Sequence, residues 1–427
     1  MAIRIQSIQQ LYSFFKDCQL EFTTDTRKLK PNTLFVALKG DNFNGNSYAS
    51  FAVENGCKYA LVDEIFEDND QFLLVEDVLK SFQDLATHHR KLNKAKIIGI
   101  GGSNGKTTTK ELLFSVLNTQ FICQCTQGNL NNHIGVPMTL LSLKDETEIM
   151  IVELGANKAG DINELCEIAL PDYGIITNIG KEHLMGFGDI EGVAKAESEL
   201  FDFLNKSNGF SFVNEDDFWL NNMSKRLSKQ KKYNINQVEI GHLVPDICID
   251  YRGYKILSVL MGEHNLQNIV AVISIAEHVG INPENIKKGI ESYSPKNNRS
   301  QWVKTDRNNH VLLDAYNANP SSVMAALKTF NLMKGDKIVL LGDMYELGEH
   351  EINEHIEIIN ECKSLNFEKV YFVGEIYMKA SAGFDEFNFF ESKEHAIKEL
   401  LNLGIIDTTI MIKGSRGMKM EDFLEVF

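Results

Sequence analysis

The stretch KIIGIGGSNGKTTTKELLFSVLN, residues 96–118, constrains the fold of this chain more than any other. Ile97 to Ile100 reads as a buried strand, and Leu112, Leu113, Val116 and Leu117 fall at helical spacing after the glycines. Between them lie Gly102, Ser103, Asn104, Gly105, Lys106, Thr107 and Thr108. A glycine-rich turn lets successive backbone N–H groups close around phosphate oxygens, and the helix N-terminus behind it adds its dipole. Lys106 offers a point charge to terminal phosphates, and the Thr107 hydroxyl offers a ligand to Mg2+. The spacing is GxxGKT, with Ile100 standing where an eight-residue Walker A loop has its first glycine. A solvated lysine on a glycine turn is the bland alternative, but it does not require GKT at a helix start.

Strands and helices alternate along the chain, the pattern of α/β layers. At roughly 150 residues per domain, the length predicts three domains. The apolar segments Leu34 to Leu38, Ala60 to Val62 and Phe72 to Val75 predict a small sheet domain over residues 1–78. A helical stretch, Ser81 to Lys94, opens a central domain over 79–296, a P-loop-type, mostly parallel sheet flanked by helices. Its further strands are Ile149 to Val152 and Ile175 to Thr177; a helix from His264 to Val279 stops at Gly280, and Pro283 opens another that runs to Tyr293. The polar run 294–300 leads into a Rossmann-like third block, 297–427. Its strands are Val311 to Asp314, Ile338 to Leu341, Val370 to Val373 and Ile410 to Ile412. Asn319 is the expected N-cap, and Pro320 the first residue, of a helix after the first of them.

Charge narrows the partners. With 43 Lys+Arg against 59 Asp+Glu the formal net charge is -16, which argues against nucleic acid, since backbone binding needs a clustered positive surface. A local anion pocket is compatible with that total. Seven cysteines without a CxxC pair read as free buried thiols of a reducing compartment, with Cys123 and Cys125 side by side on a strand. The N-terminus lacks a signal-peptide core, and no run reaches the ~18 apolar residues of a membrane span. A soluble cytoplasmic protein without membrane insertion is expected.

A phosphate site with a metal needs carboxylates. Glu153 follows the apolar run 149–152, at the C-terminal edge of a parallel strand where α/β ligand sites lie; a capping or salt-bridged role is the alternative. His183, in TNIGKEHLMGFG, also follows a strand, although a lone His is more often structural.

At this point the chain resembles the Mur ligases, the ATP-dependent amide-forming family that builds the peptide of the bacterial cell wall. TDTRKLKPNTLFVALKGDNFNG (24–45) resembles the family's UDP-binding module, and GGSNGKTTTKE its phosphate loop. GNLNNHIGVPMTLL (128–141), ELGAN (153–157) and NIGKEHL (178–184) are similar to central motifs, and GEHNLQN (262–268) to the segment at adenine. DAYNANPSS (314–322), LLGDMYELGEH (340–350) and KGSRGMKMEDF (413–423) are similar to the C-terminal domain. YNANP with GDMxELG resembles the branch that adds D-alanyl-D-alanine to UDP-N-acetylmuramoyl-tripeptide. Sibling ligases, folylpolyglutamate synthetase and a non-ligase P-loop ATPase are the alternatives.

The resemblance implies two substrates beside ATP, two Mg2+ ions and a monomer. It implies that Lys106 holds the β and γ phosphates and Thr107 one Mg2+, while Glu153 and His183 hold the second. His264, Asn265 and Asn268 are implied around adenine, Arg299 at the γ-phosphate and Asp314 at ribose. Asp25, Thr26, Arg27, Asn44 and Gly45 are implied at the uridine nucleotide, and Asn131 and Asn132 at the sugar and diphosphate. Tyr316, Asn317 and Asn319 are implied on the substrate side, with turn formation as the alternative for the two asparagines and a solvated loop charge for Arg416. One departure stands out. Many Mur ligases carry a carbamylated lysine where VAKAESELF (193–201) has Glu197. Glu197 is expected to supply that carboxylate directly to the metal; Lys195, two residues away, turns about 200° from it on a helix. The alternative is a solvated glutamate.

Overall fold

The computed structural model describes every residue except Asn297 and Asn366, so the third domain's expected first residue lies outside the described residues. The chain packs as two compact units. One comprises Met1–Gly99, Phe121–Gly155 and Asp161–Gly174, and the other Ile100–Gln120, Ala156–Gly160 and Ile175–Phe427.

The first unit opens with a five-stranded parallel sheet in the order Ile3–Arg4, Phe72–Leu74, Tyr59–Val62, Leu34–Val36, Phe22–Thr23. Its strands are near-continuously apolar, as sheets covered on both faces require. Phe35, Ala37, Ala49, Ala52, Cys57, Ala60, Val62 and Phe72 close one core around it. The helix Val78–Leu92 follows, capped by Asp77 accepting from the Lys80 N–H. It starts three residues before the Ser81 expected from polarity, because Val78, Phe82, Leu85 and Ala86 form its buried stripe. Cys123–Cys125 pairs in parallel with Ile149–Glu153. Among the described residues the seven cysteines form no disulfide; Cys123 and Cys125, unlike the other five, are only half-buried.

The second unit carries the phosphate loop and the C-terminal block. The strand Lys96–Gly101, whose last two residues belong to this unit, runs into the loop, and the helix Lys106–Leu117 leaves it. Phe210–Asn214 pairs in parallel with Gln230–Tyr233, and Glu239–His242, Ile247–Tyr251 and Tyr254–Ser258 form an antiparallel sheet. The helix Glu263–His278 buries eleven side chains, too many for a surface helix, and Val279 and Gly280 end it. Pro283–Ser292 is capped by Asn282.

A six-stranded sheet completes this unit in the order Gln301–Lys304, His310–Asp314, Thr409–Lys413, Lys337–Gly342, Lys369–Val373, Asn388–Phe390. Only the first pair is antiparallel. One face packs Leu327, Phe330, Leu341, Ile358 and Phe372, and the other Val311, Leu340, Leu400, Ile412 and Phe423. The helix Pro320–Asn331 starts where its sequence predicts, with Asn319 and Ser322 forming a reciprocal capping box. Among the described residues no helix is long and apolar enough to cross a membrane.

Candidate active site

The phosphate loop is shaped by glycines that tolerate no side chain. Gly102 has φ +114°, and a Cβ there would lie 2.2 Å from Thr177 Oγ1 and 2.7 Å from the Thr177 backbone nitrogen. Ser103 N–H donates to the Asn178 carbonyl at 3.0 Å, and Asn104 N–H to Asn178 Oδ1 at 3.1 Å. The loop is thus moulded onto the segment 177–183, whose polar residues follow the strand Tyr173–Ile176.

Lys106 lies back along its own loop, donating to the Gly102 carbonyl, with its Nζ 3.6 Å from Glu182. Glu197 reaches the same loop from the helix Ile190–Glu197. Its Oε2 accepts from the Gly102 N–H at 2.6 Å, and the side chain is 1% exposed. The solvated alternative for Glu197 is therefore wrong, while Lys195 is exposed. Among the described residues Glu182 Oε1 and Glu197 Oε1 have no hydrogen-bond partner. Burial pushes the Glu182 carboxyl up against the opposing pull of Lys106, and it pushes Glu197 up to about 7. Two buried carboxylates thus border one loop, Glu182 beside the Lys106 ammonium and Glu197 on the Gly102 amide, an arrangement that positive charge would complete.

That donor set fits a hard divalent cation, with carboxylate oxygens and the buried Thr107 hydroxyl close to a phosphate loop. Among the described residues no three His, Cys, Asp or Glu side chains form a ready cage. Mg2+ does not need one, since it keeps water and phosphate ligands and takes one or two protein carboxylates. Thr107, His183 and Glu197 belong to the second unit, and Glu153 to the first. There Glu153 accepts from Asn131 Nδ2 at 2.9 Å, and its N–H donates to Thr126 Oγ1 at 3.0 Å.

His183 sits at φ +42°, in the left-handed region, at the start of the short helix Leu184–Phe187. Its Nδ1 is 2.6 Å from Glu346 Oε2. Burial draws the imidazole pKa down, but Glu346 and Glu182 outweigh it and the net shift is upward. Asn268 supports the loop from the helix Glu263–His278, accepting from Thr109 Oγ1 at 3.2 Å, and its own Nδ2 donates to Asn265 Oδ1 at 3.2 Å. Beside Asn265, desolvation pulls His264 down to about 4, so it is neutral at pH 7.

The C-terminal block brings its expected residues to the same unit. The Arg299 guanidinium stacks 3.6 Å over the Tyr316 ring. Asp314 accepts from Lys413 Nζ at 2.5 Å, and Lys413 holds its carboxyl low despite burial. Asn317 Oδ1 accepts from the Ala318 N–H at 2.9 Å, a local turn contact. Asn319 does more than cap its helix, since its Nδ2 donates to Asn104 Oδ1 at 2.9 Å. Arg416 pairs with Glu421.

Two carboxylates here lay outside the sequence reading. Glu182 was signalled only by its place next to His183. Glu346 stood inside the GDMxELG motif with no role assigned to it, because that role depends on the partner it meets 163 positions away.

In the first unit Asp25 caps the turn Thr26–Lys28, accepts from Arg27 Nε at 2.9 Å and pairs with its Nη2 at 2.8 Å. These contacts hold the Asp25 carboxyl well below the usual range. Asn44 caps the turn Gly45–Tyr48, where a Cβ on Gly45 would lie 2.5 Å from the Leu38 carbonyl oxygen. Asn132 Oδ1 accepts from the Gly135 N–H at 2.8 Å.

Comparison with known proteins agrees with this layout. The Mur ligase middle domain model matches residues 100–276, and the Mur ligase, glutamate ligase domain model matches 298–416. A UDP-N-acetylmuramoyl-tripeptide--D-alanyl-D-alanine ligase of Bacillus subtilis is 32% identical over 421 residues, covering 94% of this chain and 92% of that protein. The Escherichia coli protein of the same name is 33% identical over 416 residues, covering 94% of this chain and 92% of its own. A crystal structure of MurF from Acinetobacter baumannii superposes with a TM-score of 0.88 at 29% identity, covering 100% of both chains. By the two domain models and by near-complete alignment with these relatives, the chain belongs to the Mur ligase family.

Proposed function

We propose that this protein is an ATP-dependent carboxylate–amine ligase that joins D-alanyl-D-alanine to UDP-N-acetylmuramoyl-tripeptide, with Mg2+ as its metal. The observation that carries the ligase reading is the phosphate loop bordered by two buried carboxylates with unmet oxygens, Glu182 beside Lys106 and Glu197 on the Gly102 amide. Likeness to ligases of that name along the whole chain narrows the substrates.

In this reading a terminal carboxylate oxygen of the tripeptide attacks the γ-phosphorus of ATP, the bond to the β-γ bridging oxygen breaks, and ADP leaves. The amine of the dipeptide then attacks the acyl phosphate carbon. Inorganic phosphate departs and the nitrogen gives up a proton. Bound Mg2+ would supply charge neutralisation on the phosphates, and Thr107, His183 and Glu197 are the residues of the second unit that would hold it. The rest is positioning. Lys106 and the loop amides orient the phosphates, Arg299 adds charge at the γ-phosphate, and Asn265 and Asn268 with neutral His264 line the adenine side. Asp314, kept ionised by Lys413, is suited to accept from ribose hydroxyls. Residues 1–78, with Asp25, Thr26, Arg27, Asn44 and Gly45, would take the uridine nucleotide, residues 79–296 ATP, and 297–427 the dipeptide. Asn131 and Asn132 would meet the sugar and diphosphate, and Tyr316, Asn317 and Asn319 the peptide side.

The test is phosphate release from ATP with each component omitted in turn. Release that requires both UDP-N-acetylmuramoyl-tripeptide and D-alanyl-D-alanine supports the reading. Equal release without the dipeptide makes the protein an ATPase of another kind.

A further inference from the structure

The loop after the strand Lys337–Gly342 grips the turn that carries His183 by two independent contacts. Glu346 Oε2 is 2.6 Å from His183 Nδ1, and the Glu346 carbonyl accepts from the Met185 N–H at 3.2 Å. Both residues stand in the left-handed region, His183 at φ +42° and Glu346 at φ +65°. Such backbone is strained for a residue with a side chain, and it persists where surrounding contacts over-determine it. Those contacts are present on the Glu346 side. Asp343 accepts from the Ile376 and Tyr377 N–H groups at 3.1 and 3.0 Å, Met344 N–H donates to buried His355 Nε2 at 3.0 Å, and Tyr345 N–H donates to Ser415 Oγ at 2.9 Å. The neighbouring residue is tied as well, with Lys181 N–H on Ser321 Oγ at 2.7 Å and Lys181 Nζ on Glu354 at 2.6 Å. Glu346 is thus presented by a braced loop to a turn held against the same block.

We propose that Glu346 is a positioning residue that fixes the ring orientation and tautomer of His183, so that the contact of the C-terminal block with the turn 181–185 sets the metal-facing nitrogen. A carboxylate can only accept, so Nδ1 carries the hydrogen and the lone pair of the neutral ring is left on Nε2. A carboxylate behind a ligating imidazole both orients the ring and raises its basicity, and removing such a partner lowers metal affinity by about 10–100-fold. The proposal rests on the reading of His183 as a metal ligand, and the experiment separates the two.

Full-length wild-type protein and its Glu346→Ala, Glu346→Gln and His183→Ala variants are titrated with Mn2+ in the presence of a non-hydrolysable ATP analogue, with free Mn2+ counted by EPR. Analogue affinity without metal is measured alongside, and histidine 15N spectra report the tautomer. Wild type shows His183 protonated on Nδ1. Glu346→Ala loses that signature and about tenfold in Mn2+ affinity, with metal-free analogue affinity unchanged. Glu346→Gln, which keeps an acceptor, retains the tautomer and most of the affinity. If His183→Ala weakens Mn2+ but Glu346→Ala leaves affinity and tautomer alone, the positioning role is wrong and the ligand reading stands. If His183→Ala leaves Mn2+ binding intact, both fail together. A parallel fall in metal-free analogue binding for Glu346→Ala would mark a merely structural contact and overturn the proposal.

Discussion

Around Asp25 the charges lie at the surface and are already matched, whereas around Lys106 they are buried and, among the described residues, two carboxylate oxygens are left unmet. Exposed Arg27 meets half-buried Asp25 with two nitrogens, and Asn44 spends its side chain capping a turn. Lys106 instead stands 3.6 Å from buried Glu182, which, like buried Glu197, has an oxygen lacking a partner among the described residues. A ligand at the first cluster exchanges one set of exposed contacts for another, which favours recognition with little effect on folding. A ligand at the second completes a charge balance that the protein alone leaves open, which favours tight, cation-dependent binding of phosphate.

Removing the central ammonium should break this contrast most severely. Lys106→Ala is expected to lower turnover by about 10^3-fold, the scale for losing a preorganised charge at a transferring group, with the fold intact by circular dichroism. An equally large loss for Arg27→Ala would mean the two clusters are not different in kind.

Glycine substitutions sharpen the contrast in stability. Gly102→Ala forces a Cβ against Thr177 at a left-handed φ, and Gly45→Ala drives one into the Leu38 carbonyl. Each is expected to cost about 2 kcal/mol or more in denaturant unfolding. Gly102→Ala should also abolish ATP-analogue binding while Gly45→Ala spares it, and calorimetry on the two variants reads the difference.

A subtler break is in the pH dependence. Glu197 ionises at about 7 in the folded chain, against about 4.3 when unfolded. Between those values the folded state holds the extra proton, so the stability of the ligand-free protein falls as pH rises from about 4.3 to about 7. Glu197→Gln should flatten that decline in thermal melts across the window; an unchanged slope would place the buried charge elsewhere. The smallest effect belongs to Arg27→Ala, for which no change in Tm is expected but weaker binding of a uridine diphosphate is.

What the sequence revealed follows the same division. The phosphate loop was legible because GxxGKT between a strand and a helix is a local pattern whose geometry neighbouring residues impose. Asn319 and Pro320 were legible for the same reason, since a cap is read within four positions. Element ends moved where burial overrode polarity, as at Val78, which starts its helix to place Phe82 and Leu85 inside. Glu182 and Glu346 fell inside the quoted motifs NIGKEHL and GDMxELG but were given no role, because a carboxylate's role depends on packing partners far along the chain. Glu197 was singled out through the family resemblance alone; its contact with the Gly102 amide joins residues 95 positions apart.

Isotope transfer tests the central claim most directly. With both carboxylate oxygens of the tripeptide terminus labelled with 18O, an acyl phosphate route delivers one 18O into each inorganic phosphate released as the amide forms. Phosphate carrying one label per product, read by mass spectrometry, is the predicted result. Amide formation with unlabelled phosphate would contradict the account, because the carboxylate would then never have been bonded to phosphorus.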